Sequence, residues 1–331
     1  VEKARNWLVG AVISAIALVV AFWGVKPERF IDALSGAQYG FLIPAALSIF
    51  VGLIARARSW QVLLKNQVTL RRTFDALTEG YLLNTVLPLR LGELARAYIV
   101  SQIINSSAGS ILSTVLVERI IDSLVSLIGL LVALPFVISP AWTQNLIITV
   151  VVILLVLVLG LFVLLSQRKR FIKILKKIPG VGFWGLDEAA DDFIGGIEGL
   201  MDLKILLQAT FWSLTAWWTT WVQLWLLLNM FGIHDSILVS LFVSGVIAFG
   251  AAIPSSPGAI GVFELSAVAG LLVFGYPRET ALSLAIVAHI LQLSMTGAFG
   301  GWALAREGRT ILGLAAKTQD FIRRVQERPA S

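Results

Sequence analysis

Apolar residues along this chain gather in long unbroken runs instead of alternating with polar ones. Ser123 to Gln167 contains no Asp, Glu, Lys or Arg. That is too long for one membrane helix of about 20 residues and right for two, with Ser139–Asn145 as the turn, its Pro140 stopping one helix and Trp142 suiting a membrane interface. The same rule picks out Trp7–Val25, Tyr39–Ile54, Ser110–Ile138, Thr143–Leu165, Leu203–Phe231, Ile237–Ile253, Ile260–Phe274 and Thr280–Ala305. The pattern therefore predicts an all-α, polytopic transmembrane bundle of eight crossings. Alternating strands of about ten residues, which a closed barrel requires, are not seen. The first run is long enough to span hydrocarbon, and Lys26-Pro27-Glu28-Arg29 after it does not read as a signal-peptide cleavage site.

Composition strengthens the membrane reading: 57% of residues are hydrophobic and 14% charged, against about a quarter charged in soluble domains. Disorder, coiled coil and nucleic-acid partners lose their support. With no cysteine and two histidines, disulfides are excluded and Cys/His zinc sites nearly so; no metal or other cofactor is expected. The net charge of +6 matters through its distribution. Lys3 and Arg5, the group from Arg56 to Arg72, Arg168–Lys177, and the stretch from Arg306 to Arg328 all fall on one face if the chain crosses eight times. The positive-inside rule makes that face cytoplasmic, with both termini there, in a cell membrane. The same clusters suit anionic lipid headgroups.

Four parts follow. Residues 1–178 form an amino-terminal membrane half and 203–305 a carboxy-terminal one. Between them, 179–202 reads as an acidic amphipathic linker with Phe193, Ile194, Ile197 and Leu200 at helical spacing. A basic tail occupies 306–331. Each membrane half holds one segment too rich in Pro and Gly for an ordinary helix: 80–98, with Pro88, Gly92 and Glu93, and 253–264, with Pro257, Gly261 and Glu264. Freed backbone at membrane depth is tolerated only against protein or a wet cavity, and paired broken segments in two halves point to a transport site on an internal repeat. Their spacings differ by two residues.

The chemistry concentrates there. Glu264 is the one charged residue between Asp235 and Arg278, and an ionised carboxylate at membrane depth needs a partner or a proton. If Gly261 begins a helix, Glu264 lies one turn in, and the amides of Pro257–Gly261 either attract an anion or are capped by Glu264 itself. Arg90, Glu93 and Arg96 share about a third of a helix circumference, and Glu118, Arg119 and Asp122 follow. Arginine suits a lipid phosphate because its planar fork binds two oxygens; the alternative is a structural ion-pair network among the same groups. Asn84, Ser255, Ser256, Gly258 and Gly261 complete the candidate binding set. His289 is either a packing residue or, with Glu264, a proton relay. Trp217, Trp221 and Trp225 form a packing stripe.

The strings Asn84-Thr-Val-Leu-Pro-Leu-Arg-Leu-Gly-Glu-Leu-Ala-Arg96, Val117-Glu-Arg-Ile-Ile-Asp122 and Pro254-Ser-Ser-Pro-Gly-Ala-Ile-Gly-Val-Phe-Glu264 resemble the transmembrane region of lysylphosphatidylglycerol synthases. The resemblance implies a lipid-handling domain that moves a headgroup-modified lipid between leaflets. No soluble synthase domain is recognisable after Ala305, so synthesis of the aminoacylated lipid by this chain is not expected. The functional expectation is a flippase-like, non-enzymatic transporter for an anionic or headgroup-modified lipid, such as an aminoacylated phospholipid or a polyprenyl-phosphate-linked glycolipid. Lacking a P-loop, it would run downhill, on the membrane potential or on a proton. Two alternatives stay open: an intramembrane serine hydrolase using Ser255 or Ser256 with His289, and a scaffold for a glycolipid-modifying enzyme. Expected partners are the phosphate-bearing lipid and either a second copy of the chain or a separate lipid-synthesising enzyme.

Overall fold

In hydrocarbon a chain must satisfy its backbone hydrogen bonds internally, and this one does so with helices. The computed structural model describes residues 2–87, 91–136, 195–197, 200, 202–253 and 255–327. Among these there is no strand. Helix α1, Glu2–Phe22, turns at Gly24 and meets α2, Pro27–Ser35, at 85°. A 3₁₀ turn at Tyr39–Phe41 leads into α3, Leu42–Leu63. Then come α4, Leu70–Val86, α5, Leu91–Ile104, and α6, Ala108–Ala133. After the residues outside the description follow α7, Leu203–Met230, α8, Ile237–Gly250, α9, Val262–Leu272, α10, Arg278–Arg306, and α11, Ile311–Glu327. Side-chain oxygens of Thr69, Ser107, Asp202 and Ser236 cap α4, α6, α7 and α8, as orphan amides at helix starts require.

Several boundaries differ from expectation for identifiable reasons. The second run does not stop at Ile54. It continues through Arg56 and Arg58 to Leu63, because Arg56 has a protein partner in Asp122 at 2.6 Å and Ala55, Ala57 and Trp60 are buried. Arg56 is thus no solvated topology marker. The first broken segment does not open at Gly80: α4 runs through it to Val86 and α5 starts at Leu91. The third run ends as helix at Ala133, followed by a 3₁₀ turn to Phe136. The stretch expected as a basic tail contains α11, which packs Leu314 and Ala315 into the core against α5. The expected crossing Thr143–Leu165, the turn Ser139–Asn145, the basic block and most of the acidic linker lie outside the described residues, though Ile197 and Leu200 of that linker are buried.

Among the described residues two helices, Tyr39–Leu63 and Arg278–Arg306, are long and apolar enough to cross a membrane, and the bent pair α1–α2 adds a third if taken as one span. The runs expected as two further crossings, Ile237–Ile253 and Ile260–Phe274, instead yield α8 and α9, of 14 and 11 residues. At 1.5 Å per residue they reach about 21 and 17 Å, short of hydrocarbon some 30 Å thick. They pack against each other as a hairpin, with a Cβ on Gly250 meeting Ser266 and one on Gly270 meeting Val243. Helices α4 and α5 make a second hairpin, with Gly80 against Gly92.

The hairpins enter from opposite ends of α10. Near its carboxy terminus Arg306 pairs with Asp75 and Arg309 with Glu79, the latter at 3.0 Å, both acids lying on α4. At its other end the loop before α10 ties back to the start of α8 through the Tyr276 hydroxyl, which donates to Asp235. Burial and that carboxylate push the Tyr276 phenol up from its ordinary value. The two tips meet inside: a Cβ on Gly258 would sit 3.7 Å from the Thr85 carbonyl oxygen. One apolar core, around Trp60, Leu77, Leu83 and Val100, surrounds the first hairpin; another, around Leu227, Val243, Leu271 and Leu284, surrounds the second.

Candidate functional site

Beneath the first tip, α3, α5 and α6 bring three arginines and three carboxylates together. Arg96 is fully buried. Its Nε donates to Glu93 Oε2 at 2.8 Å and its Nη1 to Glu118 Oε2 at 2.6 Å, and the guanidinium lies 4.6 Å above the Trp60 ring. Trp60 is held in turn by donating its indole N–H to Thr114. Asp122 accepts from Arg56 at 2.6 Å and from the Ser213 hydroxyl at 2.5 Å. Arg119 is different. It is 37% exposed, and its approaches to Glu93, Glu118 and Asp122 are long, 3.8, 3.4 and 3.9 Å. The group carries three positive and three negative charges when ionised, which lets it exist away from bulk water.

Of the two expectations for Arg96, phosphate fork or ion-pair network, its contacts are those of the network. Both edges of its guanidinium are committed to carboxylates and one face to Trp60, so it holds Glu93 and Glu118 in place. Glu118 is equally buried. Arg119 is the guanidinium turned toward open space. Arg90 lies outside the described residues.

At the second tip the chain forms a tight turn. Gly261 has φ 90° and precedes α9; a side chain there would also strike the Ser14 carbonyl oxygen of α1 at 2.4 Å, so glycine is required twice over. Glu264 Oε2 accepts the Gly261 amide at 2.6 Å, and its Oε1 lies 2.6 Å from His289 Nδ1. The helix start thus finds its anion within the chain. Glu264, one of the candidate binding residues, is buried behind His289, with both oxygens engaged. The Ser256 amide donates to Ser14 Oγ at 2.9 Å. The Ser256 hydroxyl donates to nearby carbonyls, and the His289 ring nitrogens face Glu264 and the Gly258 carbonyl. The serine–histidine pairing a hydrolase needs is not formed.

Between the tips lies a cavity of ≈ 1020 Å³. Among the residues expected to bind substrate, Asn84, Glu93, Arg119, Asp122, Ser255, Ser256 and Gly258 line it, as does His289; Arg96, Glu118, Gly261 and Glu264 stand behind the wall. Asn84 is also structural, its Oδ1 accepting the Gly92 amide at 2.8 Å and so capping α5 from α4. Sequence reasoning missed Arg56, Tyr81, Trp217 and Gln223, all on the lining. The available signal for Arg56 was the apolar spacing Leu53, Ala57, Trp60, Leu64, which carries the buried face of α3 past the arginines. Tyr81 sat beside Gly80 inside the segment already singled out.

Helices with lipid-length apolar faces, two hairpins reaching inward and a charged cavity between them define a helical membrane protein with an internal polar site. The chain belongs to the family of the lysylphosphatidylglycerol synthase transmembrane region, whose model matches residues 7–300. It is also similar to a UPF0104 membrane protein of Methanothermobacter thermautotrophicus, 25% identical over 307 residues that cover 88% of this chain and 89% of the relative. No solved structure matches it.

Proposed function

We propose that this protein moves a phosphate-bearing amphiphile, an anionic or headgroup-modified lipid, between the leaflets of a membrane. The polar head passes through the cavity between the hairpin tips while the acyl or polyprenyl tails remain in hydrocarbon, with both termini of the chain on the cytoplasmic side. The observation that carries the reading is the shared cavity: two hairpins entering from opposite ends line one space, largely apolar but carrying charged and hydroxyl-bearing groups, and Arg119 faces it with only long carboxylate contacts. A headgroup forced through hydrocarbon loses its hydration, which is the barrier to spontaneous flipping; a lined polar path replaces part of what water supplied. Arg119, with Arg56 nearby, meets the phosphate, and Glu93 and Asp122 balance the charge when the site is empty.

Reconstitution tests this. Vesicles containing the protein are expected to move labelled anionic, aminoacylated or polyprenyl-phosphate lipids faster than empty vesicles. Arg119→Ala should slow the preferred lipid about ten- to hundredfold, the weight of a charged hydrogen-bonding group, and Arg119→Lys should recover part of the rate, since a point charge replaces a fork incompletely. Equal rates in loaded and empty vesicles for all three lipid types would remove the transport reading. A lipid-synthesising enzyme that then co-purified with the chain would favour a scaffold instead.

A further inference from the structure

The second tip contains a proton-counting arrangement. His289 Nδ1 lies 2.6 Å from Glu264 Oε1, and Nε2 lies 2.9 Å from the Gly258 carbonyl oxygen. A carbonyl only accepts, and an ionised carboxylate only accepts, whereas neutral imidazole has one N–H to give. Both bonds form together in two ways. Imidazolium donates to carboxylate and carbonyl, or the Nε2–H tautomer donates to Gly258 while protonated Glu264 donates to Nδ1. The two forms hold the same number of protons. Remove one proton, leaving neutral histidine beside ionised Glu264, and one nitrogen must turn a lone pair toward an oxygen, so one of the two bonds is lost whichever tautomer forms.

The ring cannot swing aside to avoid this, because it is stacked on Phe263 at 4.2 Å between centroids and is buried. The loop it holds needs holding. Ala259 sits at φ 57°, a left-handed conformation that side chains with a Cβ disfavour. Glu264 clasps the far side of the same loop through the Gly261 amide. The loop also forms one wall of the cavity and faces Thr85 of the first hairpin.

We propose that His289 and Glu264 form a proton-held latch on the Ser255–Gly261 loop, closed when the pair holds its extra proton and loosened when it is released. Its part in gating a lipid rests on the transport reading above; the latch itself does not. Glu264 is the ionisable group bonded to His289. Arg56, Tyr81, Glu93, Arg119 and Asp122 share the cavity and contact one another. Of the elements packed on α10, α4 offers Asp75 and Glu79, taken by Arg306 and Arg309, and α3 offers Arg58, bonded to Gln61. From α2 come Glu28, Arg29 and Asp32 at the other end, where Glu279 accepts the Lys26 amide, and α7 adds Lys204 beside its cap.

The two carboxamide variants separate the latch from mere packing, because they act in opposite directions. In Glu264→Gln the new amide accepts from Gly261 and donates to Nδ1, so neutral His289 satisfies both bonds and the loop stays closed as pH rises; only a protonated ring, facing the amide N–H with its own, would lose a bond. In His289→Gln one carboxamide cannot span both partners, and the loop is open at every pH. The measurement is hydrogen–deuterium exchange protection of residues 255–261 in the full chain in lipid bilayers, from about pH 5 to about pH 9. The His289 proton is followed by ¹⁵N resonance, with His234→Gln assigning the other histidine. In the wild type, protection should fall about tenfold, the worth of one hydrogen bond, at the same midpoint as His289 loses its proton. Flat wild-type protection, or a loss of protection with rising pH that survives in Glu264→Gln, overturns the latch; if His289→Gln fails to fold, the wild type and Glu264→Gln still decide. Loop protection that stays flat with pH in vesicles that do move lipid removes the latch and leaves transport standing, and a titrating loop in vesicles that move no lipid does the reverse.

Discussion

Arg96→Met is expected to destabilise the protein by about 3–5 kcal/mol, the usual consequence of leaving a buried ion without its partner. Two carboxylates depend on this one guanidinium. Glu118, itself buried, would be left with the longer 3.4 Å approach of Arg119, and Glu93 would lose its short bond and keep the 3.8 Å one. The double variant Arg96→Met, Glu118→Leu should recover most of the loss, because removing both members of a buried pair removes their desolvation as well as their attraction. Unfolding free energies from denaturing-detergent titration of the three proteins check it. A single variant within about 1 kcal/mol of wild type would mean that Arg119 or a neighbour substitutes for Arg96. Vesicle assays on the double variant add a functional arm: if Arg96 positions rather than binds, the refolded double variant should still move lipid, with altered rate but not complete loss.

The same cluster shows what the sequence disclosed and what it hid. The motif Arg90 to Arg96 and the carboxylates after it marked the right neighbourhood, since charges at regular helical intervals inside an apolar chain need partners. Which arginine faces the cavity was not legible. Spacing within a helix fixes a side chain's azimuth, whereas exposure depends on Trp60 and Glu118, which arrive from other helices and are distant in the chain. Arg56 failed for a related reason. A base after an apolar run signals water, unless an acid 66 residues later meets it, and that pairing leaves no local trace. Glu264 was half legible. The Gly261-to-Glu264 interval is that of a helix cap and its third residue, so the cap could be read directly; its burial behind His289 came from the fold.

Run length misled in the carboxy-terminal half. Ile237–Ile253 and Ile260–Phe274 are apolar enough to be counted as spans, yet helix α8 ends at Gly250 and α9 begins only after Gly261. Hydropathy measures what hydrocarbon tolerates. It does not measure where the backbone unwinds. The prolines and glycines of 253–264 did mark the unwound stretch, and each half holds one inward hairpin, while Pro88 of the first lies outside the described residues. Those residues did not disclose that the hairpins enter from opposite ends, because that follows from the way α10 pairs with α4 at one terminus and with α1 at the other, where Arg278 donates to the Val20 carbonyl at 3.0 Å.

The first hairpin depends on two glycines more than on any ion pair within it. A Cβ on Gly92 would lie 1.9 Å from the Gly80 carbonyl oxygen and 2.6 Å from Asn84 Oδ1. The obstacle is helical backbone rather than the end of a flexible chain, so relief requires α5 to move away from α4. Gly92→Ala is accordingly expected at or beyond the upper end of overpacking penalties, about 3 kcal/mol or more, despite alanine's better helix propensity. Gly301→Ala supplies the comparison. That position is inside α10 with nothing within 4 Å of the added carbon, and the change should stabilise by about 0.5–1 kcal/mol through propensity alone. Opposite signs from the same chemical change would establish that close approach of α4 and α5, not glycine's flexibility, is what Gly92 provides. Because Asn84 and Glu93 line the cavity from these two helices, any Gly92→Ala protein that remains folded should also bind and move lipid more slowly. Normal stability and normal transport in that variant would mean the hairpin closes in some other way.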